Sequence, residues 1–379
     1  MAAIGKALVV GGGIGGLTAA VALRRAGIAV DLVEIKDNWS VYGVGIIQPN
    51  NVMRALDRVG LAQACVDNGG AYPGWRIFSE TNDLLFEAAA SNRAAPAFPP
   101  YNGITRPILQ SILQQAAISL GTRTRLGVTV KQAEETERGL LVTCTDDTRE
   151  YYDLLVAADG INSAARSRIF GDKIVPCFTG QSVWRYNFTR PADMSWGEIY
   201  YGSGTKVGLV PMSPALMYMF LVTAEPSNPR MPPDQLADLM RDRLGDYTGR
   251  VAGLRELITD SAAVVYKPME SVLLPLPWHR GRQLIIGDAA HATTPHLAQG
   301  AAMAIEDAVL LGELLTQHHS LPPALDEFMS RRFERAKYVV DCSDQIATWE
   351  LEQWNGVINP SARPGELLYE ATLALLDDY

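Results

Sequence analysis

Three glycines and three acids carry most of the chemistry that can be read from this chain. Gly11, Gly13 and Gly16 stand at G-x-G-x-x-G spacing, with Gly15 among them, in the stretch "VVGGGIGGLTAAVALRRAGIAVDLVE". A strand-like run over residues 7–10 precedes them, and a helical pattern through Ala19, Ala20, Val21 and Leu23 follows. In that setting the first glycine permits a tight turn, the second lets the backbone approach a pyrophosphate, and the third lets helix and strand sit close together. The free N–H groups of the helix start then face the phosphates. A second strand over 28–33 ends in Glu34, eighteen positions past Gly16, where a carboxylate accepts ribose hydroxyls. An acid there argues against a ribose 2′-phosphate at this site. The chemistry is dinucleotide binding, by NAD or FAD.

The other two acids, Asp159 and Asp288, lie in "AADGINSAAR" and "GDAAHATTPHLAQGAAMAIEDA", each just after a run that reads as a buried strand. Ligands of doubly wound sheets gather at the carboxyl ends of the strands, so both acids are expected in one crevice with the glycine turn. Pro295 and Gly300 flank the start of a helix whose Ala302, Ile305, Ala308 and Val309 form an apolar stripe. Its first amides, around Gly300 and Ala301, would place partial positive charge against a ligand, and Gly300 leaves room for the approach. Glu306 and Asp307 read as solvated or capping charges. His291 and His296 have no carboxylate or thiol at metal-ligand spacing, so no metal is expected. His291 reads as structural and His296 as a candidate for proton transfer.

The elements that must position these residues form an α/β fold. A Rossmann-like, doubly wound domain is expected in three pieces, 1–71, 101–172 and 268–340. Aromatic, β-like segments such as "SVWRYNF" and "LMYMFLV" place a second, mainly antiparallel sheet domain over 72–100 and 173–267, and 341–379 reads as a C-terminal helical segment. On the expected strands Trp184 and Tyr186 share one face, and Tyr218 and Phe220 share another.

Together the three motifs resemble the signatures of the FAD-dependent aromatic hydroxylases, the single-component class A flavoprotein monooxygenases, over residues 7–340. The resemblance implies non-covalent FAD. Gly11, Gly13, Gly15 and Gly16 would hold its ADP half, Glu34 the adenosine ribose, Arg106 the pyrophosphate, and Asp288 the ribityl chain. Pro295, Gly300 and Ala301 would lie against the flavin. Asp159 would serve both FAD and a transient NADH or NADPH, which needs no fingerprint of its own. The implied reaction reduces the flavin, captures O2 as a C4a-hydroperoxide and hydroxylates a small aromatic or heteroaromatic ring. A dehydrogenase or double-bond reductase on the same scaffold is the alternative.

In that fold the second sheet roofs the flavin, so Trp184, Tyr186, Lys206, Tyr218 and Pro295 are expected at the substrate. Tyr218 and His296 would orient or relay a proton, and Lys206 would hold an anion. Lys206 and Tyr218 fall at offsets where a flavin-dependent urate hydroxylase carries an arginine and a tyrosine. Lysine lacks the arginine fork, which argues against urate itself. Pyridine-ring hydroxylases can carry a histidine base in the loop that here reads "GVGIIQPNN", where Ile47 stands instead.

The composition agrees with a soluble enzyme: 379 residues, 47% hydrophobic and 20% charged, with a net charge of −9. That charge disfavours nucleic acid and anionic membrane as partners. Four scattered cysteines, a glycine-broken N-terminal apolar run and the lack of a membrane-length segment point to the cytoplasm. A monomer or homodimer is expected.

Overall fold

Strands covered on both faces need apolar side chains throughout, and the most apolar runs of the chain form a parallel sheet for that reason. In the computed structural model, which describes residues 2–41 and 43–379, this sheet has six strands. In spatial order they are His279–Arg280, Gln283–Ile285, Leu154–Ala157, Lys6–Val10, Ala29–Glu34 and Arg123–Leu126; only His279–Arg280 runs antiparallel. The sheet is thus assembled from distant parts of the sequence, as the discontinuous domain requires. Helices Ile14–Arg25 and Gly300–Gln317 cover it side by side, so closely that a methyl group at Gly312 would fall 3.0 Å from the Ala22 Cβ. The strand at 140–144 is not part of this sheet. It joins Val130–Thr136 and Arg149–Tyr152 in a separate antiparallel three-stranded sheet.

The second large sheet has seven strands, in the order Val265–Ser271, Cys177–Thr189, Leu216–Ala224, Thr205–Pro211, Gly197–Tyr201, Gly74–Ser79 and Leu84–Ala89. All pairs are antiparallel except Gly197–Tyr201 with Gly74–Ser79. One face packs under helices Leu236–Arg243 and Gly249–Arg255, with Trp184, Phe188, Met217, Met219 and Leu221 buried among Met240, Leu244 and Val251. The opposite face carries Val210, Met212 and Tyr218 towards the parallel-sheet half of the molecule. One helix, Leu321–Trp354, runs unbroken through residue 340, where the sequence suggested a boundary. Among the described residues no helix is long and apolar enough to cross a membrane.

Glu306 and Asp307 are not solvated. Both are fully buried on the inner side of helix Gly300–Gln317. Arg332, itself fully buried on Leu321–Trp354, donates to Glu306 Oε2 at 2.7 Å and to Asp307 Oδ1 at 2.7 Å. Arg335 adds a fork to Glu306, and the Asn51 amide donates to its other oxygen. Desolvation of four charges is costly, and removing one partner leaves the others uncompensated. Burial alone would raise the Asp307 carboxyl, but His291 and Arg332 bring it down to about 2. Because that value lies below the ordinary 3.8, the contribution of Asp307 to stability is complete above about pH 4 and is lost as the pH falls towards 2. Arg332→Met should therefore cost about 3–5 kcal/mol in urea unfolding at neutral pH. It should also flatten the acid limb of the stability profile between pH 4 and 2.

Candidate functional site

The parallel strands deliver their carboxyl ends to one edge of the sheet, and the motif residues follow from them directly. Gly11 leaves Lys6–Val10 with φ +103°, and a methyl group there would fall 2.4 Å from the Ala158 carbonyl oxygen. A methyl at Gly16 would fall 1.9 Å from the Gly11 carbonyl oxygen, so the helix can sit on the turn only with glycine. Gly13, by contrast, faces open space: no atom of the described residues lies within 4 Å of where its side chain would be. It caps helix Ile14–Arg25 with no side-chain hydrogen bond and no acid in the first turn, so the first amides remain free for an anion. Gly15 faces the neighbouring helix at Ala304.

Glu34 ends the next strand and braces this turn. Its Oε2 accepts from the Gly12 amide at 2.6 Å and its Oε1 from the Lys36 amide at 3.0 Å. Gln110 donates to the Gly12 carbonyl at 2.7 Å, and Trp39 packs over Gly12. A cavity of about 280 Å³ lined by Trp39, Ser40, Val41, Pro107, Gln110, Ser111 and Gln114 opens beside the turn. Arg106 begins helix Arg106–Ser119; its amide donates to Val44 and its half-buried guanidinium makes no hydrogen bond within the described protein.

Asp159 and Asp288 follow the two neighbouring strands but differ in their engagement. Asp159 accepts from Ser163 Oγ at 2.5 Å and from the Ala165 amide at 3.0 Å, so its carboxylate shapes its own loop and the start of helix Ala164–Phe170. Buried Arg166 joins that loop to the other, donating to the carbonyls of Ile161, Ile174 and Ala289. Asp288 makes no hydrogen bond within the described protein. It stands open to solvent yet recessed between walls, and this burial raises its carboxyl against the pull of His291 and Arg106. Its turn is held from beneath by Asp307, whose Oδ2 accepts from the Gly287 amide at 2.9 Å and contacts His291 Nε2 at 2.6 Å. His291 is therefore a structural residue.

Pro295 is exposed in the segment that follows, and Gly300 opens helix Gly300–Gln317 with Gln299 as an N-cap that makes no side-chain capping bond. Among the described residues a methyl at Gly300 would meet only Thr293 Cγ2, at 3.6 Å, and Asp288 Oδ1, at 4.0 Å. Two uncapped helix starts thus aim their partial positive charge at one crevice.

The roof of the crevice corrects part of the sequence reading. Trp184 and Tyr186 lie on the far face of the seven-stranded sheet, under the helices, where Trp184 is fully buried and donates from Nε1 to Thr223 Oγ1 at 3.0 Å. The alternation was read correctly and the face was not, because both faces of this sheet are covered. Residues of the other parity face the crevice: Arg185, which sits opposite Phe220, and Asn187, which sits opposite Tyr218 and donates to the Gly43 carbonyl at 2.8 Å. Tyr218 is buried against Gly45 and Met212. Burial raises its phenol, so it stays protonated at neutral pH despite Arg185 and Arg106 nearby. Burial and Arg106 push Arg185 down to about 10, which leaves it a cation.

Lys206 and His296 are brought together, though by a residue that sequence reasoning missed. Glu350, near the end of helix Leu321–Trp354, pairs with Lys206 Nζ and meets His296 Nε2 at 3.1 Å, while Thr294 Oγ1 lies 2.8 Å from His296 Nδ1. Both ring nitrogens of His296 are occupied, so it holds the Pro295 segment rather than presenting a free base. Its partner is 54 positions away and carries no local signal.

Comparison with known proteins agrees with this geometry. The family described as FAD binding domain matches residues 5–343. The chain is 33% identical over 348 residues to a putative FAD-dependent monooxygenase, YetM, of Bacillus subtilis, covering 91% of this chain and 94% of that one. It is 30% identical over 351 residues to the FAD-dependent urate hydroxylase of Klebsiella pneumoniae, covering 88% of each. Among solved structures, an arginine-to-glutamine variant of Klebsiella pneumoniae HpxO complexed with FAD superposes with a TM-score of 0.83 at 25% identity, covering 98% of this chain and 94% of that one.

Glu34→Ala should weaken FAD binding about 10- to 150-fold, the loss of one carboxylate acceptor worth about 1.5–3 kcal/mol. Titration of apoprotein with FAD measures it, and unchanged affinity would place the nucleotide elsewhere.

Proposed function

We propose, for a chain that belongs to the FAD binding domain family and is an FAD-dependent monooxygenase, that it hydroxylates a small aromatic or heteroaromatic ring at the expense of NADH or NADPH and O2. The observation that supports this most directly is the convergence of Gly11, Glu34, Asp159 and Asp288 with two uncapped helix starts beneath the crevice face of the seven-stranded sheet. A bound flavin would supply the redox chemistry, taking electrons from the nicotinamide and delivering one oxygen atom of O2 to the ring.

The residues of the chain bind, orient and exclude water. The amides at Gly13 and the Arg106 guanidinium suit a pyrophosphate, and Glu34 suits a ribose that reaches the cavity beside Trp39. Asp288, with no partner of its own among the described residues, is free to accept hydroxyl hydrogen bonds from the ribityl chain. Asp159 is committed to its own loop and would act on either coenzyme through the shape of that loop. The helix start at Gly300 and Ala301 and the Arg185 cation favour negative charge on the ring system between them.

Tyr218 and Phe220 wall off water on the sheet side, and the protonated Tyr218 hydroxyl is a donor that orients a ring substituent. Pro295 faces the ring from the other side. With His296 held at both nitrogens, the proton released from the ring leaves through the substrate's own acidity or through water.

A substrate of this enzyme should accelerate NAD(P)H oxidation and retain one atom of isotopically labelled O2. Tyr218→Ala should keep FAD bound and release several-fold more H2O2 per NAD(P)H consumed, because a misplaced ring no longer intercepts the oxidant. Mass spectrometry of the product and a peroxide assay read both. A turned-over substrate that never carries label would make the protein a reductase.

A further inference from the structure

Lys206 stands on the crevice face of the sheet, but its charge is already spent. Glu350 pairs with it, accepts from the Gln181 amide at 3.1 Å and meets His296 at 3.1 Å. Glu350 is only 5% exposed. Burial would raise its carboxyl, yet Lys206 and His296 hold it well below the usual carboxylate range. Burial also lowers His296, which stays neutral. One positive and one negative charge therefore cancel.

The surroundings are apolar. Val183, Val222 and Met269 cluster here with Phe220 and with Trp354, one helical turn beyond Glu350. Two other cations stand on this face among the described residues: Lys267, exposed on the edge strand opposite Val183 and three strands from Lys206, and Arg185, which lies across Phe220 and interacts with Tyr218 and Arg106, on the side away from Lys206.

We infer that Glu350 sets the charge selectivity of the ring site: by neutralising Lys206 it makes this end a receptor for an uncharged ring with an apolar substituent, and it rejects an anionic ring such as urate. An anion brought to Lys206 must displace a buried carboxylate or lie beside it, and like charges in so dry a place repel strongly. This rests on the placement of the ring between sheet and flavin segment proposed above.

The test is equilibrium binding to FAD-loaded protein without nicotinamide, followed by the perturbation of the flavin spectrum. The probes are urate, a monoanion at neutral pH, and an uncharged 2-alkyl-4(1H)-quinolone. Wild type should bind the quinolone at least about tenfold tighter than urate. Glu350→Gln releases the Lys206 charge and should tighten urate about tenfold or more with little change for the quinolone. The pair Lys206→Gln with Glu350→Gln restores neutrality and should restore the wild-type order, which guards against a misfolded single variant. Wild type that prefers urate or binds neither ring overturns the inference, as does an unchanged preference in an FAD-loaded Glu350→Gln protein. Because no turnover is needed, the expected order without oxygen incorporation would defeat only the hydroxylase reading, and labelled oxygen in urate only this one.

Discussion

The charge cluster of Glu306, Asp307, Arg332 and Arg335 is the interaction on which the cofactor side of the molecule depends. It sits where helices Gly300–Gln317 and Leu321–Trp354 meet, away from solvent, and each carboxylate does two things at once. Glu306 receives two arginines and also the Asn51 amide, which in turn pairs with Gln299 at the start of its own helix. Asp307 receives Arg332 and also the Gly287 amide and His291. The ion pairs and the shape of the flavin segment are therefore one structure. Well-packed apolar residues could match the stability, but they could not accept the Gly287 amide and so could not fix where Asp288 points.

Above that foundation the electrostatics divide along the crevice. One end gathers uncompensated positive character from two helix starts, Arg106 and Arg185, as the anionic parts of FAD require. The other end carries a lysine that is silenced by a glutamate and surrounded by apolar side chains. The first end is built partly from backbone, the amides of the two helix starts, and partly from the two arginine side chains. The second is built from side chains on three separate elements, the strand of Lys206, the segment of His296 and the helix of Glu350.

The cofactor half was legible in the sequence because its determinants are local. A glycine whose side chain would fall 1.9 Å from a carbonyl oxygen, and an acid at the end of a buried strand, announce themselves within a few residues. The substrate half was less legible because its determinants are distant. Trp184 and Tyr186 alternate as a half-buried strand should, but helices over 236–255 bury one face and the flavin half buries the other, so alternation alone does not choose between them. Glu306 and Asp307 look like surface charges until an arginine 25 residues away is folded against them. Lys206 looks like an anion receptor until a glutamate 144 residues away is.

Helix Leu321–Trp354 ties these halves together in a way that bears on how such enzymes can be recombined. Arg332 and Glu350 are eighteen residues apart, five full turns, so they leave the same side of the helix about 27 Å from each other. One end of that side compensates the flavin segment and the other compensates the substrate sheet. A substrate sheet transplanted from a relative, without the stretch of helix that faces it, would arrive with the wrong countercharge for whatever stands at position 206. The surroundings of Lys206 are thus split in sequence: they comprise the sheet and the last turns of a helix that begins in the other half of the protein.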